Sequence, residues 1–202
     1  MGTVAIVDYG VGNLKSVANA LSYLGCSSCI TADLAELERA DAIILPGVGA
    51  FPDAADRLRS GGLDQHVLAQ GQKKPVLGIC LGMQLLLEQG REVRPCPGLG
   101  VIRGTVDRIP TQSKLPHIGW NSLRFFHHSP LFRGLDEGAY VYFVHSFSAQ
   151  DTDPAQVIAV TDYGPAVTAA VSSGNFYGTQ FHPEKSGEVG LTILRNFAGL
   201  NC

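Results

Sequence analysis

The sequence predicts an α/β fold: one domain over residues 1–202, with an open, mostly parallel sheet flanked by helices and a C-terminal half richer in strands. Three observations carry the expectation. Short aliphatic runs, Thr3 to Val7, Ala42 to Leu45 and Pro75 to Ile79, alternate with segments of helical apolar spacing, as parallel strands with crossover helices require. The third run ends at Gly78-Ile79-Cys80-Leu81-Gly82 and passes directly into the helical pattern Met83-Gln84-Leu85-Leu86-Leu87. Beyond the polar, turn-forming stretch Gln89 to Gly98, read as a loop, the texture changes to short strand-like runs with frequent turns.

Taken in order, Thr3 to Val7 reads as a strand buried on both faces. Asn13 is placed to cap a helix whose apolar stripe is Leu14, Val17, Ala18, Leu21 and Leu24, and Gly25 stops it. Ser28 to Thr31 is a short strand, Leu34 to Arg39 a helix, Ala42 to Leu45 a strand, and Pro46-Gly47-Val48-Gly49 a loop at its carboxyl end. Helices around Asp53 to Leu58 and Leu63 to Gln70 lead back to Pro75 to Ile79. In the second half Gly100 to Arg108, Asn121 to Phe126, Tyr140 to Phe147, Val157 to Thr161, Val167 to Ser172 and Asn175 to Thr179 read as strands. Ser172-Ser173-Gly174-Asn175 marks a hairpin, and a last helix runs about Glu188 to Phe197 with Leu191, Leu194 and Phe197 inward.

Composition excludes several classes. With 202 residues, 45% hydrophobic and 16% charged, the chain buries one substantial core. A formal net charge of −3 leaves no basic stripe for nucleic acid. The start Met1-Gly2-Thr3-Val4-Ala5-Ile6-Val7-Asp8 has no basic region of a signal peptide, Ile6 stands where a myristoylation signal wants Ser or Thr, and no apolar run reaches membrane-spanning length. A cytoplasmic protein with no membrane association is expected. Five cysteines, Cys26, Cys29, Cys80, Cys96 and Cys202, make an odd set in a chain that needs no staples. Cys26-Ser27-Ser28-Cys29 has redox-motif spacing but follows a helix instead of opening one, so both read as ordinary buried thiols. Gly10-Val11-Gly12 imitates a dinucleotide fingerprint, with Lys15 where the third glycine belongs. His127-His128 has no ligand partner at metal spacing and reads as a solvated pair. No cofactor and no metal are expected.

The chemistry concentrates at Cys80. Glycines two residues before and two after allow a sharp strand-to-helix turn, a nucleophile elbow that exposes the thiol at the carboxyl end of a strand and the positive end of a helix. Far along the chain, His182-Pro183-Glu184 follows an extended segment, and residues two apart there share a side, which suits a base and the carboxylate that orients it. Cys80, His182 and Glu184 together form the constellation of thiol-based acyl transfer. The glycine-flanked Val48 and Gly49 peptides can turn an N–H toward a developing oxyanion, joining the Leu81 N–H. Asp8-Tyr9-Gly10, this loop and Cys80 all fall at strand carboxyl ends and are expected to meet at one sheet edge. Trp120, between His117 and Asn121, reads as core or as a surface group.

These segments resemble the class I (triad) glutamine amidotransferases. Five motifs, Asp8 to Leu14, Pro46 to Phe51, Gly78 to Gln84, Pro116 to Asn121 and Phe181 to Gly187, are similar in order and over almost the whole chain to the glutaminase subunits of imidazole glycerol phosphate synthases within that family. The resemblance implies that family's fold and a Cys80, His182, Glu184 triad that hydrolyses glutamine to glutamate and ammonia. It implies that Gln84 and Gly49 hold glutamine, that Val48 belongs to the oxyanion strand, and that Glu92 takes the substrate's amino group. It further implies a heterodimer with a (β/α)₈-barrel cyclase subunit, to which ammonia passes for synthesis of imidazole glycerol phosphate and an aminoimidazole carboxamide ribonucleotide in histidine biosynthesis. Tyr142, His145 and Lys185, with Asn13 and Trp120, then fall on the partner-facing rim and ammonia exit. Competing readings are a glutaminase of another synthase, such as that of pyridoxal phosphate, a stand-alone cysteine hydrolase, and a silent binding subunit.

Overall fold

The computed structural model describes residues 2–200, and Cys202 lies outside them. The chain runs β1 (Val4–Val7), α1 (Leu14–Tyr23), β2 (Ser28–Thr31), α2 (Leu34–Arg39), β3 (Ala42–Gly47), α3 (Phe51–Ser60), α4 (Leu63–Gly71), β4 (Val76–Cys80) and α5 (Leu81–Leu85). The strand-rich half follows as β5 (Leu87–Gly90), β6 (Cys96–Pro97), β7 (Ile102–Arg108), β8 (His117–Ser122), β9 (Arg124–Phe125), β10 (Tyr140–His145), β11 (Phe147–Gln150), β12 (Val157–Asp162), β13 (Ala166–Ser173), β14 (Phe176–Thr179) and α6 (Gly187–Ala198).

An eight-stranded sheet in the order β2-β1-β3-β4-β14-β13-β12-β9 organises the molecule. The first five are parallel, and β13, β12 and β9 close it antiparallel. Period-2 alternation sorts the central side chains into two layers. Val4, Ile6, Ile44, Leu77 and Ile79 pack with Val17 and Leu21 of α1 and Leu194 and Phe197 of α6. Ala5, Val7, Ile43, Leu45 and Val76 pack on the other face with Leu37, Leu58 and Val67 of α2, α3 and α4. A four-stranded sheet, β11-β7-β5-β6, leans on the second layer, and β8 and β10 form a separate two-stranded ribbon. Lys74 secures α2 in a way its sequence position did not announce: its ammonium donates to the carbonyls of Leu37, Glu38 and Ala40, groups the end of that helix leaves unpaired. No helix among the described residues is long and apolar enough to cross a membrane.

Several elements differ from the sequence reading, each for a physical reason. Asn13 precedes α1 but its side chain makes no capping bond, because its backbone is not in the extended conformation that aims a cap inward. β3 does not stop at Leu45; Pro46 and Gly47 continue it opposite Ile79 and Cys80. The helix after the elbow is one short turn and a little more, since Leu86 and Leu87 leave it and their carbonyls are taken by the N–H groups of Val101, Ile102 and Gly100. Residues 89–98 are not simply a loop: β5 and β6 pair across them. Leu123 interrupts the strand expected over Asn121 to Phe126, and Ser146 splits Tyr140 to Phe147 into strands of different sheets. Leu191 is only half-buried, its inward place being taken by fully buried Ile193. Cys26 is buried, whereas Cys29, on the edge strand β2, is half-buried.

Backbone contact at the end of β4 is the tightest feature of the fold. A Cβ on Gly78 would lie 2.5 Å from the Gly82 carbonyl oxygen, and one on Gly82 would collide with the Leu45 carbonyl oxygen in β3. Gly82→Ala is therefore expected to lower unfolding free energy by about 3 kcal/mol or more, read by urea denaturation, because both clashing atoms are main-chain and cannot step aside.

Candidate active site

Cys80 closes β4 and opens α5 with φ 54° and ψ −109°, a left-handed conformation that a non-glycine residue adopts at a cost of about 1–3 kcal/mol. The strain is held by the contacts of Gly78 and Gly82 and by the register of β3, which sets Gly47 opposite Cys80. A Cβ on Gly47 would lie 2.8 Å from the Gly82 nitrogen and 2.9 Å from the Tyr9 hydroxyl. That hydroxyl donates to the Pro46 carbonyl at 2.6 Å, so the end of β1 fastens the end of β3. Burial, and then the neighbouring Cys80, push the Tyr9 pKa well up, which keeps it a donor. The three strand ends expected at one sheet edge thus meet there.

His182 reaches the same edge from the far side. β14 pairs with β4 in parallel, Gly178 opposite Gly78 and Thr179 opposite Ile79, so the chain beyond Thr179 runs past Cys80. The loop is clamped to β10 by the His182 N–H donating to Tyr142 O at 3.0 Å, by Ser186 Oγ donating to His182 O at 2.6 Å, and by the Tyr142 N–H donating to Ser186 Oγ at 3.0 Å. His182 Nδ1 donates to Glu184 Oε1 at 2.8 Å, and the two side chains are 2% and 1% exposed. His182 Nε2 and Glu184 Oε2 are buried without a hydrogen-bond partner among the described residues. Burial disfavours the charged ring, but the pull of the Cys80 sulfur and of Glu184 outweighs it and raises the imidazole pKa to about 9.

Cys80 is buried, 7% exposed, rather than standing out at the elbow as the sequence suggested, because β3, the start of α5 and the His182 loop close around it. The space beside it is a cavity of about 350 Å³ lined by Cys80, Leu81, Gln84, Glu92, His145 and His182, with Val48 and Gly49. Leu81 is the first residue of α5, so its N–H has no carbonyl a turn earlier to bond. With only five residues, α5 lends the thiol less dipole than the longer helix expected from the sequence would have. Gly49 holds φ +99°, and Val48 is 43% exposed. Gln84 is buried and donates from Nε2 to Phe147 O and to Gln180 Oε1, both at 3.0 Å; Gln180 Nε2 in turn lies 3.7 Å from the Cys80 sulfur. Glu92 is half-buried and one carboxylate oxygen accepts the Phe51 N–H at 2.8 Å, tying the start of α3 to the cavity wall.

The rim residues divide. Trp120 is 55% exposed and stands edge-on to the half-buried Tyr142, its partner across the β8–β10 ribbon, at 6.1 Å. Of the two readings of this lone tryptophan, the surface one holds. Lys185 is exposed on the turn after His182. Asn13 is half-buried and lines a recess with Val48, His182 and Glu184. His145 is not an exposed rim residue: it is buried and lines the cavity. Its Nδ1 donates to Phe147 O at 2.8 Å, which makes Nε2 the acceptor for His117 Nδ1 at 3.2 Å, and His117 Nε2 then accepts from Asn121 at 3.4 Å. His117 is also sandwiched between Tyr163 and Phe143. Burial drives the His145 pKa down to about 4 and lowers that of His117, so both are neutral at pH 7. His127 and His128 are exposed, with His127 donating to Pro154 O at 3.1 Å.

Sequence reasoning missed Gln180, Ser186, His117 as a buried group, and the Phe147 carbonyl. Only the adjacency of Gln180 to the His182 motif hinted at it; the rest depends on which strands pair.

The ring of His182 gives a test by pH. Because its folded-state pKa of about 9 lies above the ordinary 6.5, the folded chain holds a proton that the unfolded chain gives up. The stabilisation is complete below pH 6.5, declines above it and is lost as the pH rises through about 9. Denaturation from pH 6 to 10 should record a fall of at most about 3 kcal/mol, smaller in Glu184→Gln, where the carboxylate's share of the shift is gone.

Comparison with known proteins gives the family and the fold. The family model described as glutamine amidotransferase class-I matches residues 5–199. Imidazole glycerol phosphate synthase subunit HisH of Bacillus cereus is 48% identical over 200 residues, 98% of this chain and 94% of that protein. The HisH of Bacillus thuringiensis is 46% identical over 198 residues with the same coverage. A solved glutamine amidotransferase superposes with TM-score 0.76 at 21% identity, covering 97% of this chain and 99% of that one, and PurLQS from Thermotoga maritima with 0.74 at 20%, covering 98% of each. With both elbow and fold in place, the chain belongs to the class I glutamine amidotransferase family, alongside its HisH relatives.

Proposed function

We propose that the chain is the glutaminase subunit of an imidazole glycerol phosphate synthase, hydrolysing glutamine through Cys80, His182 and Glu184 and passing ammonia to a (β/α)₈-barrel cyclase. The observation that supports this most is the convergence on one cavity of a strained elbow thiol and a buried imidazole held by a carboxylate at 2.8 Å. Cys80 passes its thiol proton to His182 Nε2, and the sulfur attacks the carboxamide carbon, forming a C–S bond and pushing charge onto oxygen, where the Leu81 N–H and the Val48 and Gly49 peptide receive it. His182 Nε2 delivers its proton to the leaving nitrogen as the C–N bond breaks, and ammonia departs. Water, deprotonated by the same nitrogen, cleaves the thioester to glutamate and restores the thiol. Glu184 keeps the ring aligned through Nδ1 and need not take the proton. Gln84 and Gly49 hold the substrate, and Glu92, with one oxygen on Phe51, offers the other to the α-ammonium group.

Ammonia released into neutral water becomes ammonium and loses its nucleophilic lone pair, so a sealed passage to a second site serves the reaction. The exposed Ile118, Trp120 and Tyr140 of the β8–β10 ribbon supply the apolar surface for the cyclase. The acceptor reaction there yields imidazole glycerol phosphate and an aminoimidazole carboxamide ribonucleotide. Hydrolysis without an acceptor is wasteful, and a peptide at Gly47-Val48-Gly49 that turns its donor toward the oxyanion only when the liganded cyclase is bound prevents it.

Glutamate release by the purified chain, alone and then with cyclase and its nucleotide ligand, tests the reading. Activity should be weak alone and rise with the liganded partner; equal turnover in both favours a stand-alone hydrolase. Cys80→Ala should lose at least about a thousandfold in rate in the folded complex. Trp120→Ala should weaken cyclase binding about thirtyfold or more by calorimetry, with the triad unaltered.

A further inference from the structure

Two buried amides lie between the Phe147 carbonyl and the nucleophile, and one carbonyl dictates the orientation of both. Phe147 O can only accept, so Gln84 must present its Nε2 there. The same Nε2 donates to Gln180, which must therefore present Oε1, leaving its own Nε2 to face the Cys80 sulfur at 3.7 Å. The alternative orientation of either amide would set like groups against each other inside a fully buried site, since Gln180 is 0% and Gln84 4% exposed.

We infer that Gln180 is a positioning residue of the thiol chemistry: its side-chain amide donates to the Cys80 sulfur and, through Gln84, leaves only an oxygen acceptor of Gln84 for the substrate. Both Nε2 hydrogens of Gln84 are used within the protein, by Phe147 O and Gln180 Oε1, so the group it can offer glutamine is Oε1, which suits an N–H of the substrate. On the sulfur side, an N–H directed at a thiolate is a charge-assisted contact that strengthens as the thiol ionises. The Phe147 carbonyl is held in turn by the Nδ1–H of His145, so the row of donors has a fixed backbone anchor. This inference rests on the glutaminase reading for its substrate side; its sulfur side does not.

The test is alkylation of Cys80 by iodoacetamide from pH 5 to 10, with a Cys80→Ser background subtracted for the other thiols, in Gln180→Met and Gln180→Glu. Removing a hydrogen bond to an ionised group costs a factor of about ten to a hundred. The alkylation midpoint should accordingly rise by about one to two pH units in Gln180→Met and further in Gln180→Glu, where a carboxylate faces the sulfur. The kcat/KM for glutamine in the liganded complex should fall about tenfold to a hundredfold. An unmoved midpoint in a folded variant overturns the inference. Should Gln180→Met not fold, Gln180→Glu keeps the size and the acceptor for Gln84; should neither fold, the side-chain amide protons of Gln180 in the intact chain must shift in step with thiol ionisation, and their failure to do so overturns it. Alkylation needs no turnover, so the outcomes separate: hydrolysis surviving Cys80→Ala sinks the glutaminase reading, whereas Cys80-dependent hydrolysis with an unmoved profile sinks only the role of Gln180.

Discussion

The site depends on how closely main chain meets main chain at the end of β4. Three consecutive backbones, β3, β4 and the start of α5, touch there without intervening side chains, because Gly47, Gly78 and Gly82 have none. That contact forces Cys80 into its left-handed turn and keeps it there. A looser elbow would relax toward ordinary helical dihedrals and carry the sulfur with it. The two hydrophobic layers, one on each face of the sheet, provide the stiffness that makes such a strained residue affordable.

Around this fixed sulfur the protein distributes opposite electrostatic conditions a few residues apart. His182 is surrounded by groups that favour its charged form, the carboxylate of Glu184 and the sulfur of Cys80, and these overcome burial. His145, nearly as buried and lining the same cavity, has only neutral or cationic neighbours, and burial wins. The difference is one of partners, not of depth. One imidazole is thereby equipped to carry a proton, while the other serves as a link in a row of neutral hydrogen bonds ending on Phe147.

The exposed ribbon is the counterpart of this buried order. β8 and β10 set His117 and His145 on the inner side and Ile118, Trp120 and Tyr142 on the outer, because successive residues of a strand alternate faces. The same two strands therefore wall the cavity and present an apolar surface, and the His182 N–H bond to Tyr142 O joins that surface to the ring.

Much was legible in the sequence because it is written in local terms. An aliphatic run marked β1, helical apolar spacing marked α1, and the paired glycines marked the elbow at Cys80. The extended chain expected at His182 and Glu184 is instead a 3-10 turn over Pro183–Lys185, and that turn brings the carboxylate to Nδ1. The short helix after Cys80, the β5–β6 pairing and the division of residues 140–150 between two sheets were not legible, since each is decided by carbonyls and N–H groups supplied from elsewhere in the chain. Likewise nothing local says that Gln180 adjoins a residue one hundred positions away, or that Lys74 ends α2. The sequence by itself determined that a thiol stands between two glycines at a strand end and that an imidazole and a carboxylate lie two residues apart; the parallel register of β14 on β4, a long-range pairing no local pattern contains, decided that thiol, imidazole and amide would meet.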